Sequence, residues 1–412
     1  MNTSKRSYLE ILLVTALMFF IFGFLTWVNG TLVAFFKKTF ELSHVNAYLV
    51  TFAYYLSYTV MAIPSSIILE KAGLKKGMII GLLIMALGCV IFIPASVIVS
   101  YPVFLMGLFT TGIGLTLLQT AVNPFVTLMG PHESAAKRIS FMGFSNKTGG
   151  ICGQIILGSI LLHGNAVIAV ETEMRKIIIP YLLLALFFIF LSAVMKRKNW
   201  YDKIDKGENA ASGNNPVENT KKKSVFQFPN LVLGVIALFC ASAAEVIAVD
   251  TIISYGLSLG LPEAKVKLYG SYTLGVMIVG YISGMALIPK YIKQENYLKY
   301  SAAAGTILTL LAIYNKGTIS VFFIVTLGFV NALLWPTIWP LSLNGLGKFT
   351  ERASALLIMS VCAGAIVPLL YGLLADTIGS QRAYWIVIPC YIYIAYYASS
   401  GYKKRDWRKY SV

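Results

Sequence analysis

Two carboxylates and one ammonium stand where the sequence is otherwise oily. Glu245 and Asp250 lie deep in the apolar run 229–258, and Lys147 lies deep in the run 139–163. A charge at membrane depth is costly, and it marks a substrate, ion or proton path by default. The two acids are five residues apart, about 140° around an ideal helix. They share no proton as a close dyad while that helix stays regular. The spacing predicts that one of them faces Lys147, because opposite charges hold each other in place. Two roles stay open for the trio: a static tie within the bundle, or a substrate or coupling-ion site for at least one acid. His44, His132 and His163 sit at run ends or in a loop, so no histidine relay is available.

Uncharged polar groups occur at similar depth: Asn29, Gln119, Asn123, Asn146, Gln154 and Asn331. Amides both donate and accept, which suits a ligand carrying several hydroxyls. The same amides are ordinary glue between membrane helices. Trp27, Trp335 and Trp339 are also deep, and an indole face packs against the C–H face of a sugar ring while its N–H seeks an acceptor. Pro124, Pro336 and Pro340 stand beside these residues and predict bends that free backbone carbonyls toward a cavity.

What positions these groups is a series of apolar helices. The chain is 57% hydrophobic and 12% charged, against about 25% charged for a soluble domain. Runs long enough to cross a bilayer recur at 8–36, 45–69, 77–98, 102–129, 139–163, 177–195, 229–258, 268–289, 297–315, 318–346, 353–376 and 383–402. The first is too long for a signal-peptide core and reads as a retained helix. In hydrocarbon all twelve must be helical, since open sheet edges go unsatisfied there. The polar stretch between the sixth and seventh runs divides the chain into a six-helix half (1–195), a linker (196–228) and a second six-helix half (229–412).

The net charge of +17 resembles that of a nucleic-acid binder, but the charges sit in short tracts between apolar runs, so no nucleic-acid partner is expected. Of the 34 Lys and Arg, 25 fall in one set of alternating segments and 8 in the other, with Lys147 inside a run. Basic residues favour the cytoplasmic side, which places both termini and the linker in the cytoplasm. The tail Lys403-Lys404-Arg405 with Arg408-Lys409 then rests on anionic lipid headgroups. Cys89, Cys152, Cys240, Cys362 and Cys390 all lie in apolar runs without metal-ligand spacing, so neither a metal nor a cofactor is expected. A shift of 216 residues sets Asn123-Pro124 on Trp339-Pro340 and Asn29 on Glu245, a faint repeat that puts a substrate site between the halves.

Two motifs carry a resemblance. Ser66-Ile67-Ile68-Leu69-Glu70-Lys71-Ala72-Gly73-Leu74-Lys75 resembles a degenerate copy of the major facilitator signature, Gly-x-Leu-x-Asp-Arg-x-Gly-Arg-Arg/Lys, with Glu for Asp and Lys for Arg. The resemblance implies a gating role for Glu70, Lys71, Gly73 and Lys75. Leu118 to Pro131, with Gln119 and Asn123-Pro124 at its centre, is similar to the span-four motif of the fucose–galactose–glucose:proton symporter family. The similarity continues through Arg138 to Asn146 and through Trp335-Pro336-Thr337-Ile338. Ala135-Ala136-Lys137-Arg138-Ile139-Ser140 followed by Asn146-Lys147 looks most like the glucose/mannose branch. It implies an all-α integral membrane protein of the major facilitator fold, with twelve transmembrane helices, in a bacterial inner membrane.

The resemblance further implies a secondary active transporter importing a hexose of the glucose, mannose or galactose kind. Asn29, Gln119, Asn123, Asn146, Asn331 and Trp335 are its substrate-contact candidates, with a proton or sodium ion as coupling partner. Fucose symporters use a first-span Asp and a fourth-span Glu, and the matching positions here are Gly30 and Gln119, which do not titrate. Coupling must therefore fall to Glu245 or Asp250. A non-transporting sugar sensor and a multidrug exporter of the same fold are the alternatives. An integral-membrane enzyme is disfavoured, because no nucleophile–base pair or phosphate loop occurs.

Overall fold

The computed structural model describes residues 3–128, 135–162, 170–197, 224–288, 290–346 and 349–407, and for helical residues 3–11, 66, 70, 123–128, 135–140, 350–351 and 355 the backbone alone. Among them every regular element is helical. In the N-terminal part these are α1 (Thr3–Trp27), α2 (Asn29–Thr39), α3 (His44–Ala72), α4 (Leu74–Val97), α5 (Tyr101–Leu128), α6 (Ala135–Leu161), α7 (Val170–Arg175) and α8 (Ile178–Arg197). Then follow α9 (Pro229–Asp250), α10 (Ile252–Ser258), α11 (Glu263–Val266), α12 (Tyr269–Leu287), α13 (Gln294–Tyr314), α14 (Gly317–Asn331), α15 (Leu334–Leu343), α16 (Thr350–Met359), α17 (Ala363–Ile378) and α18 (Val387–Ser399).

Each of the twelve apolar runs is occupied by helix. Nine helical stretches among the described residues are long and apolar enough to cross a membrane. The other three runs fall short for visible reasons. α6 carries Asn146, Lys147 and Gln154, α13 opens on Gln294-Glu295-Asn296, and α18 has 13 residues after a 3-10 turn at Arg382–Ile386. The outer faces are apolar, as contact with lipid tails requires: on α8, Ile179, Leu183 and Phe190 are 68%, 61% and 64% exposed.

Without water to drive helices together, membrane bundles rely on close backbone approach at small residues. α4 and α5 do this with glycines seven residues apart on each helix. A Cβ at Gly81 would lie 2.8 Å from the Gly114 carbonyl oxygen, and one at Gly88 would lie 2.9 Å from that of Gly107. α1 and α6 approach as closely, since a side chain at Gly23 or Gly149 would run into the other helix's backbone.

Four of the runs are broken within the bundle. α1 gives way to α2 at Val28, α9 to α10 at Thr251, α14 to α15 at Ala332-Leu333, and α16 to α17 through a 3-10 turn at Ser360–Cys362. The third break follows from Pro336, whose ring clashes with the carbonyl four residues back, that of Ala332. At the second, the Thr251 hydroxyl donates to the Ile247 carbonyl at 2.6 Å, a back-bond that bends helices. Pro124 and Pro340 lie inside the continuous assignments of α5 and α15.

One end of the bundle is stitched together across the chain. Lys38 pairs with Glu263 at 2.9 Å. Asp376 of α17 accepts from the amides of His44 and Val45 at the start of α3, at 2.9 and 3.0 Å. Beside them Tyr48 and Tyr371 meet edge to face at 5.6 Å.

Candidate functional site

The breaks and the interior polar groups occupy the same region. At Val28 the backbone carbonyls freed by the interruption are taken by side-chain amides: Asn29 Nδ2 donates to the Thr26 carbonyl at 3.1 Å, and Gln154 Nε2 to the Trp27 carbonyl at 2.7 Å. Gln154 in turn accepts from the Ser271 hydroxyl of α12 at 3.2 Å. This chain of bonds links α1, α6 and α12 and fixes where Trp27 stands.

Trp27 is the floor of the charged site. Its indole Nε1 donates to Asn146 Oδ1 at 3.0 Å, and the Lys147 ammonium sits 3.8 Å from the ring centroid. A cation over an indole face is attracted by the ring quadrupole, and more strongly when little water is present. The same ammonium reaches Glu245 Oε1 of α9 at 2.5 Å. Lys147 is buried, whereas the Glu245 side chain keeps 15% of its surface exposed. The pair is thus sealed on the lysine side and open on the glutamate side.

The structure therefore brings Asn146, Lys147 and Glu245 together around Trp27. Asp250 lies elsewhere. It is wholly buried at the end of α9, against α2, where a Cβ at Gly30 would lie 2.8 Å from the Asp250 Cα. No three His, Cys, Asp or Glu among the described residues converge as a metal site.

Trp335 and Trp339, on successive turns of α15, stack at 4.6 Å with 26° between their planes. Both remain half-buried, as does Gln119 on α5, and these surfaces are available to a ligand. Asn331 is not. Its Nδ2 donates to the Ala244 carbonyl at 3.2 Å and its Oδ1 accepts from the Tyr391 hydroxyl at 2.7 Å. That amide is buried and spent on holding α9, α14 and α18 together. Asn29 is likewise buried, with its Nδ2 committed to the helix break.

The side chains of Asn123 and Glu70 lie outside the described residues. Lys71 is exposed at the end of α3, Lys75 is half-buried at the start of α4, and Gly73 joins the two helices at φ 79°. That backbone region disfavours a side chain.

Sequence reasoning assigned no role to the tyrosines of α3. Tyr54, Tyr55 and Tyr58 form a mutually packed cluster with centroids 5.2–6.4 Å apart, and Tyr54 bonds Thr26 beside the first break at 3.0 Å. Their i, i+1 and i+4 positions, which set Tyr58 one turn from both others, were the available signal.

Residues 15–368 match the Major Facilitator Superfamily. The chain is 32% identical over 406 residues to the glucose/galactose transporter of Brucella abortus, covering 98% of this chain and 96% of that protein. It is 26% identical over 402 residues to the L-fucose-proton symporter of Escherichia coli, covering 91% and 89%. Among solved structures it resembles FucP in the outward conformation, with a TM-score of 0.70, 24% identity, and 95% and 98% of the two chains covered.

Proposed function

The chain belongs to the Major Facilitator Superfamily, and on that premise we propose that it imports a hexose of the glucose/galactose kind by alternating access, driven by a cation gradient. The observation that carries the reading is the half-open ion pair of Lys147 and Glu245 on its Trp27 floor, in a chain similar along 98% of its length to a glucose/galactose transporter. A sugar offers hydroxyls, which both donate and accept, and an apolar C–H face. Glu245 supplies a polar partner beside Asn146, which holds Trp27, the half-buried Gln119 of α5 supplies an amide, and the stacked Trp335 and Trp339 supply the flat surface.

In this proposal residues 1–195 and 229–412 are the two moving halves, joined by the linker 196–228. The chain is a multi-pass membrane protein, and the charge asymmetry puts both termini on the cytoplasmic side of a bacterial inner membrane. The end stitched by Asp376, Lys38 and Glu263 is then the outer one, and the state is inward-facing. Opening outward breaks those contacts and makes others at the inner end, where the Glu70–Lys75 segment lies, so that the site faces one side at a time.

The test is uptake of radiolabelled glucose and galactose into proteoliposomes, with and without proton and sodium gradients. Accumulation above the external concentration under one gradient is the expected result. Saturable sugar binding with no flux in either direction marks a sensor instead. Efflux of apolar drugs with no effect of sugar marks an exporter.

A further inference from the structure

The charges in the bundle do not balance. Among the described residues, Lys147 and Asp250 are the charged side chains buried below a tenth of their surface, and Glu245 is the partner of Lys147. The trio holds one ammonium and two carboxyls, and the ammonium is committed to Glu245 at 2.5 Å. A bare carboxylate taken out of water without a partner is strongly disfavoured.

Asp250 is 0% exposed, and neither of its oxygens has a side-chain hydrogen-bond partner; the one backbone group set against its carboxyl is that of Gly30. Around it other oxygens also lack partners. Asn29 Oδ1 and Thr31 Oγ1 flank Gly30, whose backbone packs on Asp250, and both atoms are buried without partners. The hydroxyls of Ser254, about one turn beyond Asp250, and of Tyr48 are buried beside it and face each other. Buried polar atoms are overwhelmingly satisfied in native proteins, and a cluster that is not demands an explanation. Every one of these atoms is an oxygen, the donor type that hard cations select.

We propose that Asp250 is where the coupling cation, a proton or a sodium ion, docks. This inference rests on the transport reading above. One bound cation neutralises the trio and supplies what the orphaned oxygens lack. Asp250 lies at the break between α9 and α10 and against α2, beside the end that opens and closes, so its access to the outside changes with the state. The other ionisable groups within electrostatic reach are Lys147, Glu245 and the phenols of Tyr48, Tyr54 and Tyr55. Glu245 then serves the sugar and holds Lys147, while Asp250 serves the ion.

Two measurements on reconstituted protein test this. In the first, Asp250→Asn is compared with the unaltered chain for gradient-driven accumulation and for exchange of labelled against unlabelled hexose. We expect accumulation to fall at least about tenfold while exchange stays within about threefold, because exchange needs no ion release. Accumulation by Asp250→Asn equal to that of the unaltered chain overturns the proposal. So does hexose exchange by the unaltered chain with no accumulation under either gradient, which keeps hexose transport by alternating access but removes its coupling to a cation. Absence of both exchange and accumulation in the unaltered chain overturns the transport reading itself.

The second measurement needs no variant and holds if Asp250→Asn does not fold. Dicyclohexylcarbodiimide attacks protonated carboxyls in apolar surroundings, and its adduct is mapped by mass spectrometry. We expect labelling of the peptide bearing Asp250 to fall with rising pH if the ion is a proton, and with added sodium at fixed pH if it is sodium. Labelling indifferent to both overturns the proposal.

Discussion

Asp376 caps the helix that begins at His44, although the two residues are 332 positions apart. Its carboxylate accepts from the first two amides of α3, while Ser43 Oγ takes the amide of Asn46 at 3.2 Å. A helix N-terminus lacks intrahelical partners for its first amides and favours negative charge. Here the missing partner is supplied from α17, so the cap exists only while the two elements touch.

Replacing Asp376 with Ala should therefore weaken one conformational state without unfolding the chain. A side-chain cap contributes about 1 kcal/mol, or a shift of roughly fivefold in the balance between states. The check is maleimide labelling of a cysteine placed at Ser380, which is 7% exposed in the closed end. Labelling should rise several-fold in the Asp376→Ala background. An unchanged rate would show that the cap does not hold this end shut.

The Lys147–Glu245 pair should behave differently from a surface ion pair. Removing one partner leaves an uncompensated charge at depth, at a cost of about 3–5 kcal/mol. Lys147→Met and Glu245→Gln should each lower melting temperature and folded yield. Combining them should recover stability but not hexose binding. Recovery of binding as well would make the pair architectural.

Asn146→Ala should weaken hexose binding and lower melting temperature together, because its amide holds Trp27 and the Phe19 carbonyl. Gln119→Ala and Trp335→Ala should each weaken binding by about 1–3 kcal/mol with little change in melting temperature. Asn331→Ala should do the opposite, because both ends of that amide are used by Ala244 and Tyr391. Loss of affinity in the Asn331 variant, with stability intact, would place that residue back in the sugar site.

Sidedness has its own test. A cysteine at Ser100 should react with an impermeant reagent added outside intact cells, and one at Ser212 only after the inside is exposed. Reaction of both from one side would contradict the charge asymmetry.

What the sequence disclosed depended on contrast. A charge inside an apolar run stands out, so Glu245, Asp250 and Lys147 were visible, as was the pairing of one acid with the lysine. The helices themselves were legible to within a few residues for the same reason. Buried amides were harder, because an Asn that bonds a sugar and an Asn that bonds a neighbour's carbonyl look alike in sequence. Asn331 bonds the Ala244 carbonyl and the Tyr391 hydroxyl in this structure, and Asn29 spends its amide on the break at Val28. The cap between Asp376 and His44 was invisible, since polar residues at helix ends are the norm and nothing in sequence ties position 44 to position 376. The cation–π contact between Lys147 and Trp27 was hidden likewise, as it depends on how α1 and α6 are docked.

Gly30 carries a consequence for anyone wishing to see the other half of the cycle. The atoms opposite it are backbone atoms of Asp250, so no change of rotamer makes room for a larger residue. A methyl group there acts as a wedge. Its steric penalty falls on the state in which α2 and α9 touch and vanishes once they part, which makes Gly30→Ala a one-atom lever for trapping the chain with its stitched end sprung open.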